Sequence, residues 1–329
     1  MTSEAEGSLS LALRIRSPGR RGRARVGASG ILAALASLLL TFQVTAAESD
    51  SRMKSGDTPR AFGTRNVPGR IVSLNLCLDT LLVELVPKER IAAISHYSLD
   101  AWRSPIAEQA RHLPIIYETA EEVVALQPDL VLTSRHSATA TRHALTRVGI
   151  RFELFDVPSS VDESIKQVRT LAALLRREAA GEALVARIDA AIAASRPPAG
   201  FKPLTAVVYQ PGGLSAGIDT VTGELMRIAG LENIAERYGI RDFRPLPLES
   251  LVASPPQVLL VGETSPNAPT QAERVVDHRA LRSLDSRMAR EIFPVRQLYC
   301  AGPTMIDALG TLVRAREHAS TTLRAKAAP

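Results

Sequence analysis

An alternation of strand-sized apolar runs with helix-sized segments, interrupted once, constrains this chain more than any other feature. Arg70–Leu74, Ile91–Ser95, Leu130–Thr133 and Phe152–Phe155 are short runs rich in Ile, Val, Leu and Phe. Between them, Leu78–Val86, Thr119–Leu126 and Ala138–Val148 carry helical character, and Gly149 ends the last. Strands alternating with helices call for parallel sheets covered by helices. From Ser160 to Ser195 the strands vanish. Ser160–Leu175 and Ala179–Ser195 are rich in Ala, Leu, Arg and Glu, read as helices, and are stopped by Pro197-Pro198. After Pro203 the alternation resumes. Strands are predicted at Thr205–Tyr209, Val258–Val261 and Val295–Tyr299, with helices at Thr220–Ala229, Leu248–Ala253, Ala272–Leu284 and Thr304–Arg316. The layout is an α/β lobe over 70–158, a helical connector over 159–196 and a second α/β lobe over 197–329. A length of 329 residues agrees, being more than one compact core usually takes.

Residues 1–46 read differently. Arg14, Arg16, Arg20, Arg21, Arg23 and Arg25 precede a charge-free Leu- and Ala-rich run from Ile31 to Val44, followed by the small residues Thr45-Ala46-Ala47. A basic segment, a short apolar run and a small-residue site make a secretory signal peptide, and the run is short for a membrane span. Residues 47–69 are polar and read as a flexible leader. The signal peptide holds six Arg against two Glu, a net +4 of the chain's +6. About +2 therefore remains on the exported body, and aromatic residues are 4% of the chain, so nothing points to nucleic acid. No Cys lies near the cleavage site, so a lipid anchor is not expected.

A segment repeats across the two halves. Glu121-Glu-Val-Val-Ala-Leu-Gln-Pro128-Asp-Leu-Val-Leu132 is matched by Glu249-Ser-Leu-Val-Ala-Ser-Pro-Pro256-Gln-Val-Leu-Leu260. Each is a short helix, a Pro-marked turn and a buried strand, with Glu in the first helical turn. An acid there is stabilised by the helix dipole, which alone would explain it. Thr119 and Glu122 form a Thr-x-x-Glu capping pattern, however, and that leaves Glu121 free to point outward. Equivalent positions put Glu121 and Glu249 on one rim of a two-lobed body.

These segments, in this order, resemble the periplasmic binding proteins for cobalamin, ferric siderophores and haem. The markers are Arg70-Ile-Val-Ser-Leu74, Glu89-Arg-Ile-Ala-Ala-Ile-Ser95, Ala125-Leu-Gln-Pro-Asp-Leu-Val131 and Pro245-Leu-Pro-Leu-Glu249, and the similarity runs over residues 70–316. The resemblance implies two Rossmann-like lobes with central parallel sheets joined by one long interdomain helix, here Ala179–Ser195, and modest opening motions. It implies a monomer in the periplasm that captures a chelated-metal compound between its lobes. It also implies that Glu121 and Glu249 dock onto Arg residues of an ABC permease dimer. No resident metal or cofactor and no catalytic residue is expected.

Ligands of open α/β sheets sit beyond the carboxyl ends of the strands. That rule nominates Asn75, then His96, Tyr97 and Trp102, then Arg135 and His136, and in the second half Tyr209 and Gln210. Tyr97, Trp102 and Tyr209 offer flat walls for a macrocycle, though ordinary packing would explain them as well. Arg135 suits a carboxylate or phosphate. His96 and His136 could ligate a metal or simply hydrogen-bond. Cys77 and Cys300 also follow strands, and could bond across the cleft, act as soft ligands, or remain buried thiols, the last being the default. A bare metal ion would want several His or carboxylates from both halves, and the second half has His278 and His318, both on predicted helices. The competing reading is a secreted hydrolase, since Gly213-Leu-Ser-Ala-Gly217 satisfies Gly-x-Ser-x-Gly with Asp277-His278 downstream. A nucleophile elbow passes straight from strand to helix, however, and the loop around Ser215 is long on both sides.

Overall fold

The computed structural model describes residues 67–137, 139–263 and 274–327. The segment read as a signal peptide, and all of the expected leader before Val67, lie outside the described residues. No helix among the described residues is long and apolar enough to cross a membrane.

The first sheet has five strands, all parallel to their neighbours. Its central strand β1 (Ile71–Ser73) lies between β2 (Ile91–Ser95) and β4 (Leu130–Ser134), with β3 (Ile115–Ile116) and β5 (Phe152–Phe155) at the edges. The helices α1 (Leu76–Leu85), α2 (Ala107–Ala110), α3 (Ala120–Ala125) and α4 (Thr139–Arg147) connect them. Burial explains the sequence pattern. Ile71, Val72, Leu130, Val131 and Leu132 are all fully enclosed, which requires apolar residues on both faces of the strands.

The second sheet is parallel and four-stranded. Its order is β11 (Ala289–Ile292), β10 (Val258–Val261), β6 (Leu204–Tyr209) and β8 (Leu231–Asn233). A separate antiparallel pair joins β7 (Leu214–Ala216) to β9 (Phe243–Pro245). The surrounding helices are α7 (Val221–Ile228), α8 (Leu248–Ala253), α9 (Arg279–Arg282) and α10 (Thr304–Ala327).

Two sequence expectations are corrected here. The last strand is Ala289–Ile292, not Val295–Tyr299. Pro294 brings no amide to a ladder, and Val295–Gln297 closes into a single 3-10 turn behind it. The helix expected over Ala272–Leu284 begins outside the described residues. Within them it is a turn followed by Arg279–Arg282, capped by His278 Nδ1 accepting from the Ala280 amide.

Between the sheets run α5 (Val161–Leu174) and α6 (Glu178–Ser195). Their contact is close, since a Cβ on Gly181 would lie 2.4 Å from that of Ala172. Arg177 donates to the Leu85 carbonyl at the end of α1, and Arg187 pairs with Glu84 of α1. At the other end of α6, the Ser195 carbonyl accepts from Arg316 of α10. The helix therefore joins the two lobes, as expected from Ala179–Ser195.

The expectation of buried thiols is overturned. Cys77, in the first turn of α1, is disulfide-bonded to Cys300, just before α10, with the Cα atoms 5.1 Å apart. The bond forms because the carboxyl end of β1 faces the start of α10 directly. Gly302 sits beside the bond at φ +66°, where a Cβ would lie 2.8 Å from Leu81 Cδ2 of α1. A side chain at Gly302 would thus be both strained and in collision.

Candidate functional site

The carboxyl ends of the first sheet carry the candidate site, in two parts. At the centre is the floor of the cleft around the disulfide. Asn75, Ser134 and Asp156 line it from the first lobe, and Tyr299 and Ala301 from the second. The cavity there is only 50 Å³. That is far below the roughly 300–1,000 Å³ of small-molecule sites. Asn75 is the N-cap of α1, and its Oδ1 accepts from the Cys77 and Leu78 amides at 3.0 and 3.3 Å. Arg135 is exposed and paired with Asp156, and His136 is exposed on the adjoining turn.

The second part lies on the same edge of the sheet, after β2 and β3. His96 is flanked by two tyrosines. Its ring centroid is 4.0 Å from that of Tyr97 and 4.8 Å from that of Tyr117, the latter pair stacked at 25°. Tyr97 is 51% exposed and Tyr117 67%, so both present ring surface to solvent. His96 Nδ1 is buried without a hydrogen-bond partner. Trp102 is half-buried on the following turn, where its amide donates to Asp100 Oδ1 at 2.9 Å. Tyr117 was not nominated from sequence. It follows a strand of two residues, too short to register as one.

Carboxyl groups support these loops. Asp79 of α1 is 0% exposed. Its Oδ2 accepts from the Ser95 amide at 3.1 Å and the Ser98 hydroxyl at 2.7 Å, while Oδ1 has no partner. Burial pushes this carboxyl well above the usual carboxylate range, against the opposing pull of the neighbouring Ser73 and Ser98 hydroxyls and the Ser95 amide. A raised carboxyl makes the fold take up a proton more readily than the unfolded chain. Its contribution is then fully present below the ordinary aspartate value of about 4, and is lost as pH rises through the folded value. Asp79→Asn should therefore gain melting temperature relative to the parent as pH is raised above about 4. A difference that stays constant with pH in thermal denaturation would contradict this.

In the second lobe, Tyr209 and Gln210 are each 1% exposed, which removes both from ligand contact in this conformation. Tyr209 ends β6 with its ring in the core beside Leu246 and Leu251. Burial, and after it the nearby Glu249 carboxylate, pushes its phenol up. Gln210 Nε2 donates to the Phe293 carbonyl at 3.0 Å and so ties β6 to the end of β11. Ser215 lies within β7, opposite Arg244 in the antiparallel pair, 0% exposed and with no partner on Oγ. It stands mid-strand rather than on a strand-to-helix turn, so a nucleophile elbow does not form. Among the described residues no three His, Cys, Asp or Glu side chains converge as a metal cage.

Glu121 and Glu249 occupy the first turns of α3 and α8, and both are exposed. The capping box at Thr119 is made by Glu122, whose carboxylate accepts from the Thr119 amide and hydroxyl. Glu121 is thereby left without that task. Each helix leads through its Pro turn into an enclosed strand, β4 in one sheet and β10 in the other.

The family model described as periplasmic binding protein matches residues 71–292. Among solved structures, the chain is similar to the apo form of the periplasmic heme-binding protein RhuT from Roseiflexus sp. RS-1. Identity there is 25%, coverage is 76% of this chain and 98% of that one, and the TM-score is 0.61. The periplasmic vitamin B12 binding protein BtuF of Vibrio cholerae is 16% identical, with 77% and 98% covered and a TM-score of 0.58. An Fe3+-hydroxamate transport protein from Saccharomonospora viridis DSM 43017 is 20% identical, with 76% and 93% covered and a TM-score of 0.58. No curated protein matches the sequence.

Proposed function

The chain belongs to the periplasmic binding protein family, and we propose that within it this protein captures a chelated-metal macrocycle, haem before cobalamin, and delivers it to an ABC importer. The observation that carries the reading is the face made by His96, Tyr97 and Tyr117. Flat rings with exposed surface suit stacking against a planar ligand. The phenol oxygens and the imidazole would also offer donor atoms to a haem iron, which a coordinatively saturated corrin does not need. Tyr299, 42% exposed at the cleft floor, adds a further aromatic surface from the second lobe. An anionic siderophore is supported less, because Arg135 already has Asp156 as its partner. The similarity to the heme-binding protein RhuT lends the same direction. Delivery would use Glu121 and Glu249 as contacts to the two permease subunits.

Hemin added to the purified protein should shift its Soret band and saturate at equimolar ligand. Tyr97→Ala combined with Tyr117→Ala should weaken binding about tenfold or more, which is about 1.4 kcal/mol. An unchanged affinity in that variant would remove the ring face from the site.

A further inference from the structure

Ser95 is held twice, by its amide and by its hydroxyl. Asp79 Oδ2 accepts from the amide at 3.1 Å, and Glu118 Oε1 accepts from the hydroxyl at 2.7 Å. Ser95 directly precedes His96 and Tyr97, and Glu118 directly follows Tyr117. The loops carrying the three rings are thus tied to each other through Ser95 and to α1 through Asp79. Asp79 also holds the far side of the first loop through the Ser98 hydroxyl at 2.7 Å.

We infer that Asp79 and Glu118 are positioning residues, which set the spacing of His96, Tyr97 and Tyr117 for the ligand. The inference rests on the ring face being the ligand wall. Asp79 stands among the buried Leu78, Thr80, Leu81, Leu82 and Leu85 of α1; its Oδ2 serves the loop through Ser95 and Ser98, while its Oδ1 has no partner. A buried polar atom without a partner is unfavourable. Glu118 adds a second unfavourable feature, holding φ +70°, the left-handed region that non-glycine residues rarely adopt. Its backbone is fixed there by the Thr141 hydroxyl, which donates to the Glu118 carbonyl at 3.1 Å. Both residues sustain local cost in order to hold two short loops at one distance, as supporting groups around ligand sites do.

The test compares the purified protein with Asp79→Ala, Asp79→Asn and Ser95→Ala, using hemin as probe and amide hydrogen exchange as a ligand-free readout. Asp79→Ala and Ser95→Ala should weaken hemin binding roughly ten- to a hundredfold and move the Soret maximum. Exchange should accelerate across residues 95–99 and 115–119 while the second sheet stays protected. Asp79→Asn keeps an oxygen to accept from Ser95 and Ser98, and should restore both readouts. Unchanged affinity and exchange in Asp79→Ala overturns the inference, as does failure of Asp79→Asn to rescue. If Asp79→Ala unfolds, Ser95→Ala decides, and loss of protection throughout the first lobe in that milder variant also overturns it. If the parent protein does not bind hemin, the ligand reading fails by itself, and the exchange pattern alone judges the coupling of the two loops.

Discussion

Replacing Glu121 and Glu249 together by alanine should abolish uptake of the cargo while leaving its affinity for the purified protein unchanged. Both carboxylates are exposed in the first turn of a short helix. Neither is needed to hold its fold. Glu122 makes the capping box of α3, and the dipole contribution of an exposed first-turn acid is about 0.3–1 kcal/mol. Glu249 lies in the other lobe from the His96–Tyr97–Tyr117 face, and Glu121, four residues beyond Tyr117, is exposed on its helix. Exposed charges at a rim set the orientation and rate of encounter more than the affinity. On the docking proposal, one carboxylate in each lobe would let a two-subunit membrane partner engage both lobes together. Single substitutions should leave partial transport, and the double substitution none. Transport assays in cells, paired with titration of the purified variants, check both halves. Normal uptake by the double variant would end the docking assignment.

Removing the Cys77–Cys300 bond should produce the largest loss of stability available to a single substitution. The bond joins positions 223 residues apart, from the first lobe to the second. Chain-entropy arithmetic for a loop of that length gives about 5 kcal/mol. For a domain-sized protein each kcal/mol moves the melting temperature by about 2–4 °C, so a fall of about 10–20 °C is expected. Cys77→Ser, Cys300→Ser and the double variant should all melt alike, because each removes the same bond. Reductant should bring the parent to the same melting temperature and leave the variants where they are. Additive losses, or no loss, would show that the link does not operate. With α6 and the disulfide both joining the lobes, only small opening motions are expected, a restriction that reduction should relieve.

The fold was legible wherever a strand is enclosed on both faces. The runs at Ile71, Leu130, Ala206 and Val258 are apolar because both sides of each strand are covered. Of the edge strands, β5 was read at Phe152–Phe155, but β3, β8 and β11 were not legible, for the opposite reason. In β11, Arg290 and Glu291 leave no continuous apolar run, and Ile292 is exposed, while the more apolar Val295–Tyr299 segment next to it forms a 3-10 turn. The two-residue β3 gave no pattern at all, which is why Tyr117 was missed although it stacks directly on His96. His96 and Tyr97 were found because their strand, β2, is long enough for its end to be located. The same rule misjudged Tyr209, which is still within β6 and turns its ring into the core. Glu121 and Glu249 stood out as a pair because the whole segment around them repeats. The disulfide was not, because pairing depends on how the two lobes face each other across 223 residues.

Thermal denaturation of the purified protein in the presence of hemin, cobalamin and a ferric hydroxamate siderophore, each at a hundredfold excess over its expected dissociation constant, probes the transport reading at its root. Binding to the folded state alone should add about 2.7 kcal/mol under those conditions, a clear rise in melting temperature. The expected result is a rise with hemin that is lost when Tyr97 and Tyr117 are both alanine, with a smaller rise or none for the others. No rise with any of the three would contradict capture of a chelated metal by this protein.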